Sequence, residues 1–251
     1  MQLLWTSGVT WDEEVPANIA AEWTLFQSQL SSLSSLVIPR RIVLDSPQQI
    51  QLHGFCDASE RGYCAAVYCR VVTPSGDIAV QLICSKTKVA PLQRLSIPRL
   101  ELQGAVLLAD LLSSVVDALA FTEQSFELFA WSDSSVALSW IKSCPSRWKT
   151  FVANRVSHIQ DKVPPNCWRH VGTLDNPADY GSRGTLPLEF LEKSQWWSGP
   201  SWLTESEDKW PSANLAPCPD VMQQELKLLT LFADQDRMHV VNCPVDKLIC
   251  R

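Results

Sequence analysis

Leu52-His53-Gly54-Phe55-Cys56-Asp57-Ala58-Ser59 is an apolar run that ends in a carboxylate. Aspartate is depleted inside strands because its side chain competes for backbone hydrogen bonds. One at a strand terminus beside two small residues is aimed at something, and the obvious partner is a cation. Three more acids stand at comparable boundaries. Asp133 follows Phe126-Glu127-Leu128-Phe129-Ala130-Trp131-Ser132, a second strand pattern that ends in an acid. Glu101 lies in Ile97-Pro98-Arg99-Leu100-Glu101-Leu102, where Pro98 opens a long helix pattern. Asp179 lies in Asp175-Asn176-Pro177-Ala178-Asp179. Asn176 there is suited to be a helix N-cap and Pro177 the first helical residue, which puts Asp179 in the first turn.

Outward from these acids the chain reads as α/β. Ile50 to Asp57, Gly62 to Val72 and Ile78 to Ser85 are strand patterns, the last two joined by the turn Thr73-Pro74-Ser75-Gly76-Asp77. They form an antiparallel meander, and Tyr63 to Val71 has the composition of a strand buried on both faces. Lys86, Lys88 and Arg94 are expected in a small basic loop after it. From Pro98 on, Leu100, Leu102, Ala105, Leu107, Leu112 and Val115 make a helix apolar nearly all round, so it packs centrally on the sheet. Phe126 to Trp131 is a fourth strand, Ser134 to Ile141 a short helix, Trp148 to Val163 an amphipathic helix and Cys167 to Val171 a fifth strand. A strand-helix-strand crossover implies that the first and fourth strands are parallel, so Asp57 and Asp133 share one edge, where α/β sheets bind ligands.

The flanks differ in texture. Residues 1–47 alternate tryptophans with acids and then show spaced leucines, a mostly helical pattern too short for a core of its own. After Gly184 come Trp196-Trp197-Ser198-Gly199-Pro200-Ser201-Trp202 and Lys209-Trp210-Pro211, aromatic but aperiodic, then a linker and a helix over Met222 to Phe232.

The 251 residues carry a net charge of −6, which argues against a free-standing binder held to nucleic acid by bulk charge. Nine cysteines with no CxxC pair read as reduced thiols, neither a disulfide framework nor a zinc site. The N-terminus lacks a basic region followed by a long apolar run, and no uninterrupted apolar stretch approaches about 18 residues. The expectation is a protein of the cell interior, cytoplasmic or in a particle or the nucleus, with no membrane partner.

The order strand-Asp, helix-Glu, strand-Asp, helix-Asp, with spacings of 44, 32 and 46 residues, resembles the ribonuclease H active site. Closer words are Phe55-Cys56-Asp57-Ala58-Ser59, Ser85-Lys86-Thr87-Lys88-Val89-Ala90-Pro91, Arg99-Leu100-Glu101-Leu102, Trp131-Ser132-Asp133-Ser134, Trp148-Lys149-Thr150-Phe151-Val152-Ala153-Asn154-Arg155 and Trp168-Arg169-His170-Val171, followed by Asn176-Pro177-Ala178-Asp179 and Ser182-Arg183-Gly184. In this order they resemble the ribonuclease H region of a BEL/Pao-type LTR retrotransposon Pol polyprotein. The resemblance implies a ribonuclease H-like fold over residues 48–184, a five-stranded mixed sheet with three antiparallel and two parallel strands flanked by helices. Residues 1–47 would then resemble the link from reverse transcriptase, and 185–251 the aromatic linker and tail leading toward integrase.

By the same resemblance the chain is a metal-dependent endonuclease that hydrolyses the RNA strand of RNA–DNA hybrids during reverse transcription. Asp57 would bridge two Mg2+ ions, with Mn2+ as a substitute, Glu101 and Asp133 would complete one site and Asp179 the other. Ser59, Arg99 and Ser134 would touch phosphate or ribose. Reverse transcriptase and integrase regions would be neighbours in the parent polyprotein. Gly172-Thr173-Leu174-Asp175-Asn176 lacks the mobile histidine that many ribonucleases H carry before the last acid, and His170, in the preceding strand, reads as structural. The competing readings are an inactive relic or host-recruited scaffold of the same fold, and a strand-transfer enzyme of the integrase kind. The acid spacing and the absence of a zinc-binding His/Cys region disfavour the latter.

Overall fold

The computed structural model describes residues 2–38, 47–119, 126–212 and 225–226. Its centre is a sheet in the order β3-β2-β1-β4-β5, built from β1 (Gln49–Ala58), β2 (Gly62–Val72), β3 (Ile78–Val89), β4 (Phe126–Ser132) and β5 (Trp168–His170). β1, β2 and β3 form the antiparallel meander, while β4 runs parallel to β1 and β5 parallel to β4. This is the ribonuclease H-like arrangement expected from the sequence. The helices are α1 (Gln2–Ser7), α2 (Ala17–Gln29), α3 (Ile97–Leu119), α4 (Ser135–Ile141), α5 (Thr150–Lys162), α6 (Ala178–Arg183), α7 (Pro187–Glu192) and α8 (Ser194–Ser198).

Period-two alternation sorts the strands between two cores. Ile50, Leu52 and Cys56 of β1, with Ala65, Val67, Cys69 and Val71 of β2, face α3, α4 and α5. Phe55, Cys64, Ala66, Tyr68, Phe129 and Trp131 face the other way. α3 reaches the sheet closely because β1 carries a glycine beneath it: a Cβ on Gly54 would stand 2.5 Å from Leu108 Cδ1. Gly54→Ala is therefore expected to cost about 1–3 kcal/mol by overpacking, read from urea unfolding; an unchanged midpoint would mean that α3 rides higher on the sheet. By length and composition α3 alone, among the described residues, could cross a membrane, but Leu102, Ala105, Leu108, Ala109 and Leu112 are buried in the core against the sheet and α5.

Two expectations change. Lys86 to Val89 continue β3 and do not form a basic loop, because the ladder runs on opposite Gly62 to Ala65. Lys86 and Lys88 lie exposed on this edge strand, where charge discourages pairing with another chain. The aromatic stretch after Gly184 packs as a layer on the second face of the sheet, so the packed body runs past the expected boundary at 184. Trp196, Trp202, Leu203 and Trp210 are buried there with Phe55, Tyr68 and Trp131. No helical period marks them because short 3-10 turns, Ser201–Thr204 and Glu207–Lys209, present them one at a time.

Polar clamps hold this layer. Buried Arg70 donates from Nε to the Leu203 carbonyl (2.8 Å), from Nη2 to the Glu205 carbonyl (2.9 Å) and from Nη1 to Gln51 Oε1 (2.7 Å). Tyr68 donates to the Trp196 carbonyl oxygen at 2.7 Å. His53 is fully buried, accepts from Trp131 Nε1 at Nδ1 (3.2 Å) and lies edge-on to Trp210. Burial first, then Arg70 and Arg169, hold its pKa well below the ordinary histidine value, so it is neutral.

α1, α2 and the 3-10 turn Leu30–Ser35 contain no buried residue. They meet the rest of the chain mainly where that turn and α2 touch α7. Six cysteines among the described residues, Cys56, Cys64, Cys69, Cys84, Cys144 and Cys167, are free thiols. The helix expected from Met222 lies outside the described residues except at Glu225 and Leu226.

Candidate active site

The parallel pairing of Cys56 with Ser132 brings the C-terminal ends of β1 and β4 side by side, so Asp57 and Asp133 leave the sheet at one edge. α3 passes this edge in near contact, a Cβ on Gly104 being only 3.1 Å from the Asp57 carbonyl oxygen. A bulkier residue there would push α3 away. Glu101, just under one turn earlier on α3, is thereby brought to the strand end. One oxygen each from Asp57, Glu101 and Asp133 lies within 4.8 Å of the other two.

Three carboxylates at such distances cannot all be charged cheaply; at about 4 Å and an effective dielectric of about 20, each pair repels by about 4 kcal/mol. Asp57 and Glu101 respond by holding protons. Burial, and then the Asp133 and Asp179 carboxylates, raise Asp57 to about 7, against a hydrogen bond from Ser182 that lowers it. Burial, and then Asp57 and Asp133, raise Glu101 to about 9, against a backbone hydrogen bond from Ala58. Glu101 Oε2 and Asp133 Oδ1 are buried with no hydrogen-bond partner, a costly state for acceptors of this kind.

A pH dependence follows. Both folded-state values lie above the ordinary 3.8 and 4.5, so between about pH 4 and 9 the folded chain binds more protons than the unfolded one. This stability is fully present below about pH 4 and is lost as pH rises through 7 and then 9. The two groups titrate against each other, so their contributions do not simply add. In EDTA, Tm is expected to fall by about 5–10 °C between pH 5 and 9. A flat profile in calorimetry would mean that the acids do not sit together in solution.

Asp179 stands outside the trio. α6 is counted from Ala178, but Pro177 already holds helical angles (φ −65°, ψ −22°) and Asn176 Oδ1 accepts from the Ala178 amide at 3.2 Å. Asn176 thus caps the helix as its residue type suggested, and its Nδ2 donates to the Cys56 carbonyl (2.9 Å), tying α6 to β1. Asp179 pairs with Arg183 one turn on, at 2.5 Å. It reaches the trio through its field, raising both Asp57 and Glu101.

The three candidate substrate contacts all have intramolecular work. Ser59 Oγ accepts from the Arg61 amide (3.1 Å) and donates to the Ser182 carbonyl (2.7 Å). Ser134 caps α4, accepting from the Ala137 amide at 3.2 Å. Arg99 is paired with Glu225 at 2.7 Å. His170 Nε2 donates to the Asp133 carbonyl oxygen at 3.2 Å, so it steadies the backbone that carries an acid.

Ser182 is the functional residue that sequence reasoning missed. Its buried hydroxyl donates to Asp57 Oδ2 and so fixes that carboxylate. The only signal was its place in Ser182-Arg183-Gly184, a word with no partner in sight.

A family model described as Pao retrotransposon-like RNaseH-like domain matches residues 1–134, just over half of the chain. The match includes the N-terminal segment and three of the four acids, and Asp179 lies beyond it. No curated protein matches the chain. Solved structures that resemble it include RNase H1 from the halophilic archaeon Halobacterium salinarum, with 13% identity, TM-score 0.34, and 57% of this chain and 98% of that one covered. Another is LC11-RNase H1, isolated from compost by a metagenomic approach, in complex with an RNA/DNA hybrid; identity is 11%, TM-score 0.36, and coverage 57% and 99%. These values are too low to carry residue-by-residue correspondences.

Proposed function

Since the chain belongs to the Pao retrotransposon-like RNaseH-like domain family, we propose that it is a divalent-metal-dependent endonuclease that hydrolyses the RNA strand of RNA–DNA hybrids. The observation that carries this reading is the trio Asp57, Glu101 and Asp133, gathered at the carboxyl edge of two parallel strands. Its setting is retrotransposon reverse transcription in the cytoplasm, with reverse transcriptase and integrase regions as neighbours in a parent polyprotein.

The donor set fits a hard cation. All three ligands are oxygens, Glu101 Oε2 and Asp133 Oδ1 are buried and unpartnered, and the trio lacks a compensating ion pair of its own among the described residues. Magnesium suits such a site because it takes carboxylate oxygens and keeps open positions for water and phosphate, and manganese takes the same donors. Asp57, Glu101 and Asp133 would hold the ion, with Asp179 the further carboxylate for a second. A bound pair supplies Lewis-acid stabilisation of the reacting phosphate and a water acidic enough to ionise near neutral pH.

The chain's own residues set the stage for that chemistry. Ser182 orients Asp57 through Oδ2, His170 steadies the main chain at Asp133, and Asn176 fixes α6 against β1. The α3 backbone at Gly104 keeps Glu101 in reach of both aspartates.

The test uses end-labelled RNA presented as hybrid, as duplex RNA and as part of no hybrid at all, alongside duplex DNA. Cleavage confined to the RNA of the hybrid, present with Mg2+ and lost in EDTA, is the expected result. Cutting that persists in EDTA, or that falls equally on duplex DNA, overturns the proposal.

A further inference from the structure

The nuclease reading makes Arg99 a candidate phosphate or ribose contact, and the structure gives it a second cation and an unexpected occupant. Arg99 opens α3 two residues before Glu101, and Arg155 lies on α5. Their guanidinium carbons stand 4.7 and 3.5 Å from the centroid of the Phe151 ring, so two cations share one aromatic platform. Bringing like charges this close to a helix N-terminus, itself electropositive, makes a place for an anion.

In the structure that place is taken by the chain itself. Glu225 Oε1 meets Arg99 Nε at 2.7 Å, and the Glu225 side chain is largely buried while its Oε2 has no hydrogen-bond partner. Main-chain contacts seat it: the Lys149 amide donates to the Glu225 carbonyl at 2.8 Å, and Leu226 forms an antiparallel bridge with Trp148. Leu226 also packs against the main core. A carboxylate with an idle buried oxygen makes poor use of the guanidinium fork, whereas a phosphodiester offers two non-bridging oxygens to such a group.

We propose that Arg99 and Arg155, on the Phe151 platform, form a subsite for a backbone phosphate of the nucleic acid, and that Glu225 fills it in the free chain. Nucleic acid then binds by displacing the Glu225–Leu226 segment, which acts as a built-in competitor beside the active-site edge. The identity of the anion rests on the nuclease reading; the competition rests on the ion pair and its main-chain seat.

The experiment measures anisotropy of a labelled RNA–DNA hybrid on the full chain carrying Asp133→Asn, so that nothing is cut. Glu225→Gln, which keeps the side chain's shape and removes its charge, is expected to tighten binding about five- to tenfold. Arg99→Ala is expected to weaken it, and adding Glu225→Gln to Arg99→Ala should give no further gain. Leu226→Asp, which loosens the segment's apolar anchor while leaving Glu225 in place, should tighten binding in the same direction. If hybrid binds but Glu225→Gln binds no tighter, or tightens equally without Arg99, the competition is refuted and the nuclease reading stands. If no variant binds hybrid at all, the nuclease reading falls and takes the phosphate subsite with it.

Discussion

Asp133→Asn is expected to lower hybrid cleavage by at least about 10³-fold while raising the Tm of the metal-free protein. The two effects come from one source. Asp133 pushes protons onto both Asp57 and Glu101, and its own Oδ1 is buried without a partner. An amide there keeps the shape and removes one charge from the crowd, which stabilises the apo state by about 1–2 kcal/mol. The same change deprives a cation of a ligand and of the charge that draws it in. Single-turnover cleavage with Mg2+ and calorimetry in EDTA read the two quantities separately. A variant that cuts as well as the parent removes Asp133 from the mechanism. One that is inactive and also melts lower in EDTA shows that the residue supports the fold and not a repelling cluster.

A chain stopped after Gly184 is expected to lose its cooperative fold, although it would retain all four acids and all five strands. Stopping there uncovers Phe55, Tyr68, Phe129 and Trp131 and removes Trp196, Trp202, Leu203 and Trp210. Each buried aromatic hides roughly 150–250 Å², worth about 4–6 kcal/mol as an upper estimate at about 25 cal/mol per Å². Three tryptophans therefore match or exceed a typical total stability of about 5–15 kcal/mol. The cut also strands Arg70, whose guanidinium bonds two carbonyls of the lost segment. Near-UV circular dichroism should collapse and dye binding to apolar surface should rise. Within the full chain, Trp202→Ala should cost about 3–5 kcal/mol. A shortened chain that unfolds cooperatively at the parent's midpoint would show that the aromatic layer is ornamental.

The difference between these two regions explains what the sequence made legible. Strands β1, β2 and β4 announce themselves through unbroken apolar runs, and Asp57 and Asp133 stand out because an acid at the end of such a run has few other reasons to be there. Glu101 was legible only through the word Arg99-Leu100-Glu101-Leu102 between Asp57 and Asp133, since an acid in a helix's first turn otherwise reads as favourable dipole placement. The aromatic layer was not, because Trp196, Trp202 and Trp210 come from separate short helices and turns and leave no period to detect. Nor were partners reached across long stretches of chain. Ser182 bonds Asp57 across 125 residues and Arg99 meets Glu225 across 126; nothing local in either pair points to the other. The end of β3 was misjudged for a related reason, since polar Lys86, Thr87 and Lys88 look like loop until their cross-strand neighbours are known.

The outer layer of the sheet is also synthesised late, after every acid of the site. A growing chain that has just delivered Asp179 to the ribosome exit holds every acid of the site, yet the face bearing Phe55, Phe129 and Trp131 is still bare. Since domains consolidate as units during synthesis, such a nascent chain keeps an apolar face open to water until Trp196 to Trp210 follow. A cut between Gly184 and Trp210, followed by loss of the C-terminal piece, would bare the same face without touching a single carboxylate.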